Sequence, residues 1–455
     1  MTRPPMPDHR PERIRFWQHL AMFRRDILST QPARLYRAKM AEVKLPFLHS
    51  VMVNTPNLVR LVLQERPRDF PKSERVREGL RPLLGNSVFV TNGPLWERQR
   101  RMIDPAFEGG RLRDTFPAMW DAAQGAAARL PQGPTEIEAV MSHAAADVIF
   151  RTLFSVPIED DTARQVYQTF RAHQRSAPIL NLAAFVRLPK VFPRVFSRKT
   201  RHTAAQIRSL IMQMTAARMG AIRDGTAPDD LATKIMTTRD PVTGDRFGTD
   251  EMVDQVAIFF LAGHETSASA LAWALYLIAT HPDWQAQLAE EAQALRPCLE
   301  AGTAPDFGVL RRFPLIRDTF REALRLYPPV PMLVREAAQR EAFRGRKLGR
   351  GTQVVVSLWH MGRNENIWSD PHEFRPERWQ QDDTKACARD GFLPFSVGAR
   401  VCPGAGFAMA EAVLILARLL CDYEFRPVAG RVPVPMAQMT VRARDGIWLD
   451  VRARR

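Results

Sequence analysis

The segment from Val256 to Ala279 constrains this chain more than any other feature. It is apolar and about as long as a membrane span. Yet His264, Glu265, Thr266, Ser267 and Ser269 stand in its middle, where a charge in hydrocarbon is expensive. The segment therefore reads as a buried helix of a soluble protein. A helix that is apolar on nearly every side needs protein on every side. The rest of the chain must supply a large helical core around it.

Most of the remaining sequence carries the 3.6-residue apolar period of helices. It predicts a helix opening at Pro94 and others over Ala139–Phe154, Thr162–Gln174, Thr203–Arg223, Asp250–Thr280, Pro282–Leu295, Pro314–Leu326 and Phe407–Leu420. Proline suits a first helical position, and Tyr327-Pro328-Pro329 ends one of these runs. Strand character is concentrated late. Lys347-Leu348 and Gln353–Leu358 flank Gly349-Arg350-Gly351, and Thr440–Arg444 and Ile447–Val451 flank Asp445-Gly446; both read as hairpins. The expected fold is mainly α with a smaller β component, which excludes a doubly wound nucleotide fold. At 455 residues the length prior is about three domains. No linker or repeat divides the chain, so residues 1–455 read as one domain, with 1–34 an unassigned N-terminal segment.

The balance of 65 Lys and Arg against 49 Asp and Glu gives a formal charge of +16, which favours acidic partners. No basic block or zinc-finger spacing accompanies it, so nucleic-acid binding is not expected. Cys298, Cys387, Cys402 and Cys421 form no C-x-x-C pair, and a chain of this size needs no disulfide staples. Met1 to Arg34 lacks the apolar run of a signal peptide. A reducing, cytoplasmic setting is expected.

Two apparent motifs fail. His264-Glu265-Thr266-Ser267-Ala268 begins like a zinc-protease motif but has Ala268 where the second ligand belongs. Gly404-Ala405-Gly406 follows no strand and has Met409 at the third glycine position of a dinucleotide loop. The informative stretch is Phe395-Ser396-Val397-Gly398-Ala399-Arg400-Val401-Cys402-Pro403-Gly404. A glycine-bearing loop presents one cysteine and then enters an apolar helix. Glycines allow close approach of a bulky group, and a helix N-terminus favours a thiolate. Cys402 is thus placed as a metal ligand rather than a disulfide partner, although a single cysteine in an apolar setting is more often a packed core residue.

The pattern F-x-x-G-x-R-x-C-x-G resembles the haem-ligand loop of the cytochrome P450 family, in which the cysteine is the axial thiolate. The resemblance continues from about Trp96 to the C-terminus. Glu322 and Arg325 match the family's E-x-x-R, with Arg378 of Pro376-Glu377-Arg378-Trp379 as the third member of a structural cluster. Ala262-Gly263-His264-Glu265-Thr266-Ser267 matches A-G-x-[DE]-T-[TS], which implies an oxygen groove where Thr266 and Glu265 deliver protons. His264 falls at a variable position and is assigned no chemistry. Trp96 and Arg100 match W-x-x-x-R. With Arg335 and Arg400, they stand where the family binds the haem propionates, to which a guanidinium fork is suited.

The resemblance implies a cytochrome P450 fold and a soluble haem-thiolate monooxygenase. Haem b is the expected cofactor, O2 the co-substrate and an apolar small molecule the substrate. Electrons would come from a separate ferredoxin and ferredoxin reductase, the acidic ferredoxin docking near Cys402. Peroxide-driven oxygenation and non-catalytic haem sensing are the alternatives, the first disfavoured by the intact Glu265-Thr266 pair. Specificity is expected in Pro71–Asn92 and Phe170–Arg201. Within the second, Ile179–Phe196 reads as an apolar access region, with peripheral membrane contact as its other reading. No transmembrane segment is expected.

Overall fold

The structure, a computed structural model, describes residues 3–12, 14–45, 48–176 and 196–454. Its axis is the 31-residue helix Thr249–Ala279. Asp250 and Glu251 lie in the first turn, where the helix dipole favours negative charge. The Glu251 carboxylate also accepts the Gly248 N–H at 3.0 Å. Helices Ile137–Phe154, Pro314–Leu326 and Ala405–Asp422 pack around this axis. Leu271, Trp273, Leu275 and Leu277 are wholly buried there, against Leu326, Leu416 and Leu419 among others. Each such leucine contributes roughly 1.5–3 kcal/mol by leaving water. Among the described residues, no helix is long and apolar enough to cross a membrane.

The helices occur where the apolar period placed them, with ends displaced by a few residues. Ile137–Phe154, Asp161–Ser176, Arg198–Arg223 and Pro282–Ala292 are observed. The segment Ile179–Phe196 lies outside the described residues except for Phe196.

Both expected hairpins are corrected. Arg346–Leu348 does not pair across Gly349-Arg350-Gly351. It pairs back onto Glu341–Phe343 through a turn at Arg344 and Gly345, both at positive φ. Gln353–Ser357 instead joins a four-stranded sheet, parallel to Leu48–Val53 and antiparallel to Met332–Glu336. Met40–Leu45 completes that sheet at its edge. Likewise Gly446 turns at φ +75°, but its flanking strands part company. Val441–Ala443 pairs with Pro435–Ala437, and Trp448–Ala453 pairs with Gly133–Glu136 and Tyr423–Pro427. In each case a genuine local turn loses to pairing partners distant in sequence.

Candidate active site

The Cys402 loop is closed by its own backbone. The Cys402 N–H donates to the Phe395 carbonyl at 2.9 Å, and the Val401 N–H to that of Gly398 at 3.0 Å. Gly398 is at φ +73°, and a Cβ there would stand 2.2 Å from the Leu63 carbonyl oxygen. Only glycine fits. Leu63 belongs to a turn of π-helix, Leu61–Glu65, so this irregular turn fixes the loop from outside. Cys402 precedes helix Ala405–Asp422 by three positions. Its side chain is accessible, yet burial pushes its thiol pKa up, against the Gly404 N–H and the charges of Arg100 and Lys72. The thiol therefore faces a recess rather than bulk water.

Cations converge on that recess. Helix Gly93–Ile103 brings Arg100 to the loop, where Nη1 donates to the Val401 carbonyl at 2.8 Å. Arg100 also pairs with Asp104 at 2.8 Å. Arg400 stacks 4.2 Å above the Trp96 ring. Its Nη2 donates to the Thr91 carbonyl at 2.9 Å and to Asn92 Oδ1 at 2.8 Å, while its buried Nη1 has no partner among the described residues. Arg335, on Met332–Glu336, is only 5% exposed and bridges to Lys72 across the sheet margin. Burial pulls the pKa of Arg335 down to about 10. Burial, then Arg335 and Arg100, pulls that of Arg400 down to about 9. Lys72 is pushed well below its usual value by burial and by these three arginines. Among the described residues, no carboxylate pairs with Lys72, Arg335 or Arg400. Such a set fits a ligand that brings its own carboxylates beside a thiolate-bound metal.

The expected structural cluster is also assembled. Arg325 holds both oxygens of Glu322, at 2.7 and 2.9 Å, and Arg378 joins at 3.0 Å. The Trp379 indole N–H and the Arg375 backbone N–H complete the carboxylate's contacts. Burial alone would raise Glu322; Arg325 and Arg378 more than offset it, and its pKa is lowered.

On the central helix the expected pair separates. The Thr266 hydroxyl donates to the Ala262 carbonyl one turn back. Glu265 is buried and turns toward another element, accepting hydrogen bonds from Thr440 and Arg442. Gly263 does not open the groove that its sequence context suggests. A Cβ there would meet Ile149 Cδ1 at 2.3 Å, so the glycine admits the neighbouring helix. His264 bonds Ser142 at 2.7 Å, and burial drives its pKa down to about 3, leaving it neutral.

Four contributors were not legible in the sequence: Lys72, Asn92, Glu411 and Arg442. Asn92 is a hub, exchanging two 3.0 Å hydrogen bonds with the Lys72 backbone while holding Arg400. Glu411 on helix Ala405–Asp422 is buried and accepts from Ser267 at 3.1 Å. Burial pushes its carboxyl up to about 8. A lone acid in the apolar run after Cys402 was the available signal for Glu411. Nothing local marks the other three.

A sequence model of the family described as Cytochrome P450 matches residues 9–447. The chain is 32% identical over 414 residues to cyclooctat-9-en-7-ol 5-monooxygenase of Streptomyces melanosporofaciens, covering 90% of this chain and 87% of that one. It is 30% identical to cytochrome P450 4A10 of Mus musculus, covering 88% and 80%. The crystal structure of the cytochrome P450DA heme domain superposes with a TM-score of 0.80 at 24% identity, covering 99% of this chain and 98% of that one. The chain belongs to the cytochrome P450 family, and with it to the monooxygenase class of oxidoreductases.

Proposed function

We propose that this chain binds haem b, which the Cys402 thiolate would hold, and inserts one oxygen atom from O2 into an apolar organic substrate. The observation that carries this reading is the set of cations beside the Cys402 loop, Arg335 buried and Arg400 and Lys72 half-buried, that pair with no carboxylate among the described residues. Trp96, Arg100, Arg335 and Arg400, together with Lys72, would bind the propionates. Haem supplies the redox-active iron at which dioxygen is activated. The protein fixes the thiol by the Phe395 and Leu63 contacts and neutralises the propionates. Thr266, with its hydroxyl resting on Ala262, is the final proton donor, and Glu265 supplies it from solvent.

A separate ferredoxin and ferredoxin reductase are the proposed electron source, and the cytoplasm the proposed location. One domain comprising the whole chain is supported by the N-terminal segment, whose Pro5 carbonyl accepts the Tyr327 hydroxyl at 2.7 Å. An apolar substrate is consistent with a relative named for cyclooctat-9-en-7-ol.

The deciding experiment is a ferrous–CO spectrum. The parent shows the thiolate form and Cys402→Ala loses it, whereas Cys298→Ala, Cys387→Ala and Cys421→Ala each keep it. A thiolate spectrum preserved in Cys402→Ala overturns the proposal.

A further inference from the structure

Asn92 ties together three segments that bring cations to the Cys402 loop. Its Oδ1 accepts the Lys72 backbone N–H at 3.0 Å and Arg400 Nη2 at 2.8 Å, and its Nδ2 donates to the Lys72 carbonyl at 3.0 Å. Lys72 in turn bridges to Arg335. The preceding Pro71 carbonyl accepts the Glu336 N–H at 2.9 Å, which fixes the strand that carries Arg335. Asn92 is also the N-cap residue of helix Gly93–Ile103, the helix of Trp96 and Arg100.

Asparagine is favoured at an N-cap because its side-chain oxygen can accept an N–H of the first helical turn. Here it makes no such bond. That oxygen is engaged by Lys72 and Arg400 instead. The other hydrogen of Arg400 Nη2 goes to the Thr91 carbonyl at 2.9 Å, and the guanidinium lies 4.2 Å over the Trp96 ring. Both Nη2 hydrogens are therefore used and the plane of the group is set. What is left over is Nη1, buried and without a partner among the described residues.

We infer that Asn92 is a positioning residue for the cofactor's carboxylates: it turns Arg400 so that Nη1 is presented to a propionate, and it keeps Lys72 beside Arg335. This rests on the proposed binding of the propionates by Arg400. The neutral amide explains the residue type. A carboxylate in its place would hold the same donors but would also cancel the charge that the propionate is to meet. A guanidinium fixed before its ligand arrives loses less freedom on binding it.

The test follows transfer of the cofactor from the full-length holoenzyme to an acceptor protein. Each variant is loaded with haem or with haem dimethyl ester, whose propionates carry no charge. Asn92→Ala should speed haem transfer about tenfold, as expected for loss of a hydrogen bond to a charged group. In an Arg400→Ala background the same change should add less than about twofold, because the two residues act as one unit. With the dimethyl ester, the parent and Asn92→Ala should release the cofactor alike. Asn92→Asp keeps the size and the acceptor but brings its own carboxylate to Arg400. It should also speed transfer of haem, and that gain should vanish with the ester. A residue needed only for packing would tolerate Asp, and its Ala variant would release both cofactors equally faster.

Haem transfer from Asn92→Ala at the parental rate, or a gain equally large in Arg400→Ala or with the ester, overturns the inference. If Asn92→Ala yields no holoprotein, Asn92→Asp decides in its place, and an equal gain with both cofactors overturns it. If Arg400→Ala alone leaves haem transfer unchanged, the propionate reading itself has failed and the inference falls with it, an outcome seen without any Asn92 variant.

Discussion

Two groups of buried or half-buried arginines sit within this fold and are treated in opposite ways. Around Glu322 the charges are complete. Arg325 and Arg378 share one carboxylate, and the spare donors of Arg325 find the carbonyls of Gly362, Pro371 and Glu373. Around Cys402 they are incomplete. Arg335, Arg400 and Lys72 repel one another with no acid between them. A buried charge without compensation is destabilising by several kcal/mol. An open cluster beside Cys402 supports the proposal that these cations receive a ligand's carboxylates. The contrast separates residues that hold the protein up from residues that hold something else.

The largest expected effect tests the closed cluster. Glu322→Ala strands two buried guanidinium groups and should destabilise the protein by about 3–5 kcal/mol, measured by denaturant unfolding. If expression fails, Glu322→Gln, which keeps hydrogen bonding but loses charge, should show a smaller loss. A loss below about 1 kcal/mol would break the comparison at its firmer end.

An intermediate case is Glu411, a buried acid with no cation beside it, which the fold keeps protonated. Its carboxyl is raised from 4.5 to about 8. Between those values the unfolded chain has released this proton while the folded chain retains it, so rising pH favours unfolding. The contribution of this carboxyl should fall as pH climbs from about 4.5 toward 8, by on the order of a few kcal/mol at most, while the neutral buried His264 contributes in the opposite direction below about 6.5. Glu411→Gln, which keeps a partner for Ser267, should flatten this dependence in melting curves taken across that range. A pH dependence left unchanged by Glu411→Gln would show that Glu411 is ionised in the fold.

The smallest effect on the protein itself belongs to the open cluster. Arg335→Met removes a desolvated charge and should leave the haem-free protein within about 1 kcal/mol of the parent, or more stable. The same change should weaken haem retention, read by transfer of haem to an acceptor protein. Should haem-free Arg335→Met lose as much stability as Glu322→Ala, the two clusters do the same job and the distinction collapses.

The closed cluster was far more legible than the open one. Glu322 and Arg325 lie three apart on one helix, which puts them on one face, and Arg378 follows in a recognisable P-E-R-W. Cys402 and Arg400 were legible for the same reason, since they share one loop. Lys72 and Asn92 were not, because their meaning depends on strand Met332–Glu336 arriving beside them from far along the chain. The hairpins misled in the same way: Gly446 and Gly349 mark turns, but a turn says nothing of which strand pairs on the outer edge. Glu265 and Thr266 are neighbours in sequence and were read as one unit. About 100° of helix separates successive side chains, enough to send one to the hairpin and leave the other on the Ala262 face.

The sheet also orders events in time. Ser50 pairs with Gln353 and Val53 with Val356, so during synthesis strand Leu48–Val53 is made long before its parallel partner. Until then the Met40–Val53 hairpin has an open edge, and such edges invite pairing with other chains. The Leu63 carbonyl that braces Gly398 lies just beyond that hairpin and is made equally early. The Cys402 loop is therefore finished by a contact between segments far apart in sequence. Completion of the loop thus waits on that contact, and the Met40–Val53 hairpin is the part most exposed to misassembly meanwhile.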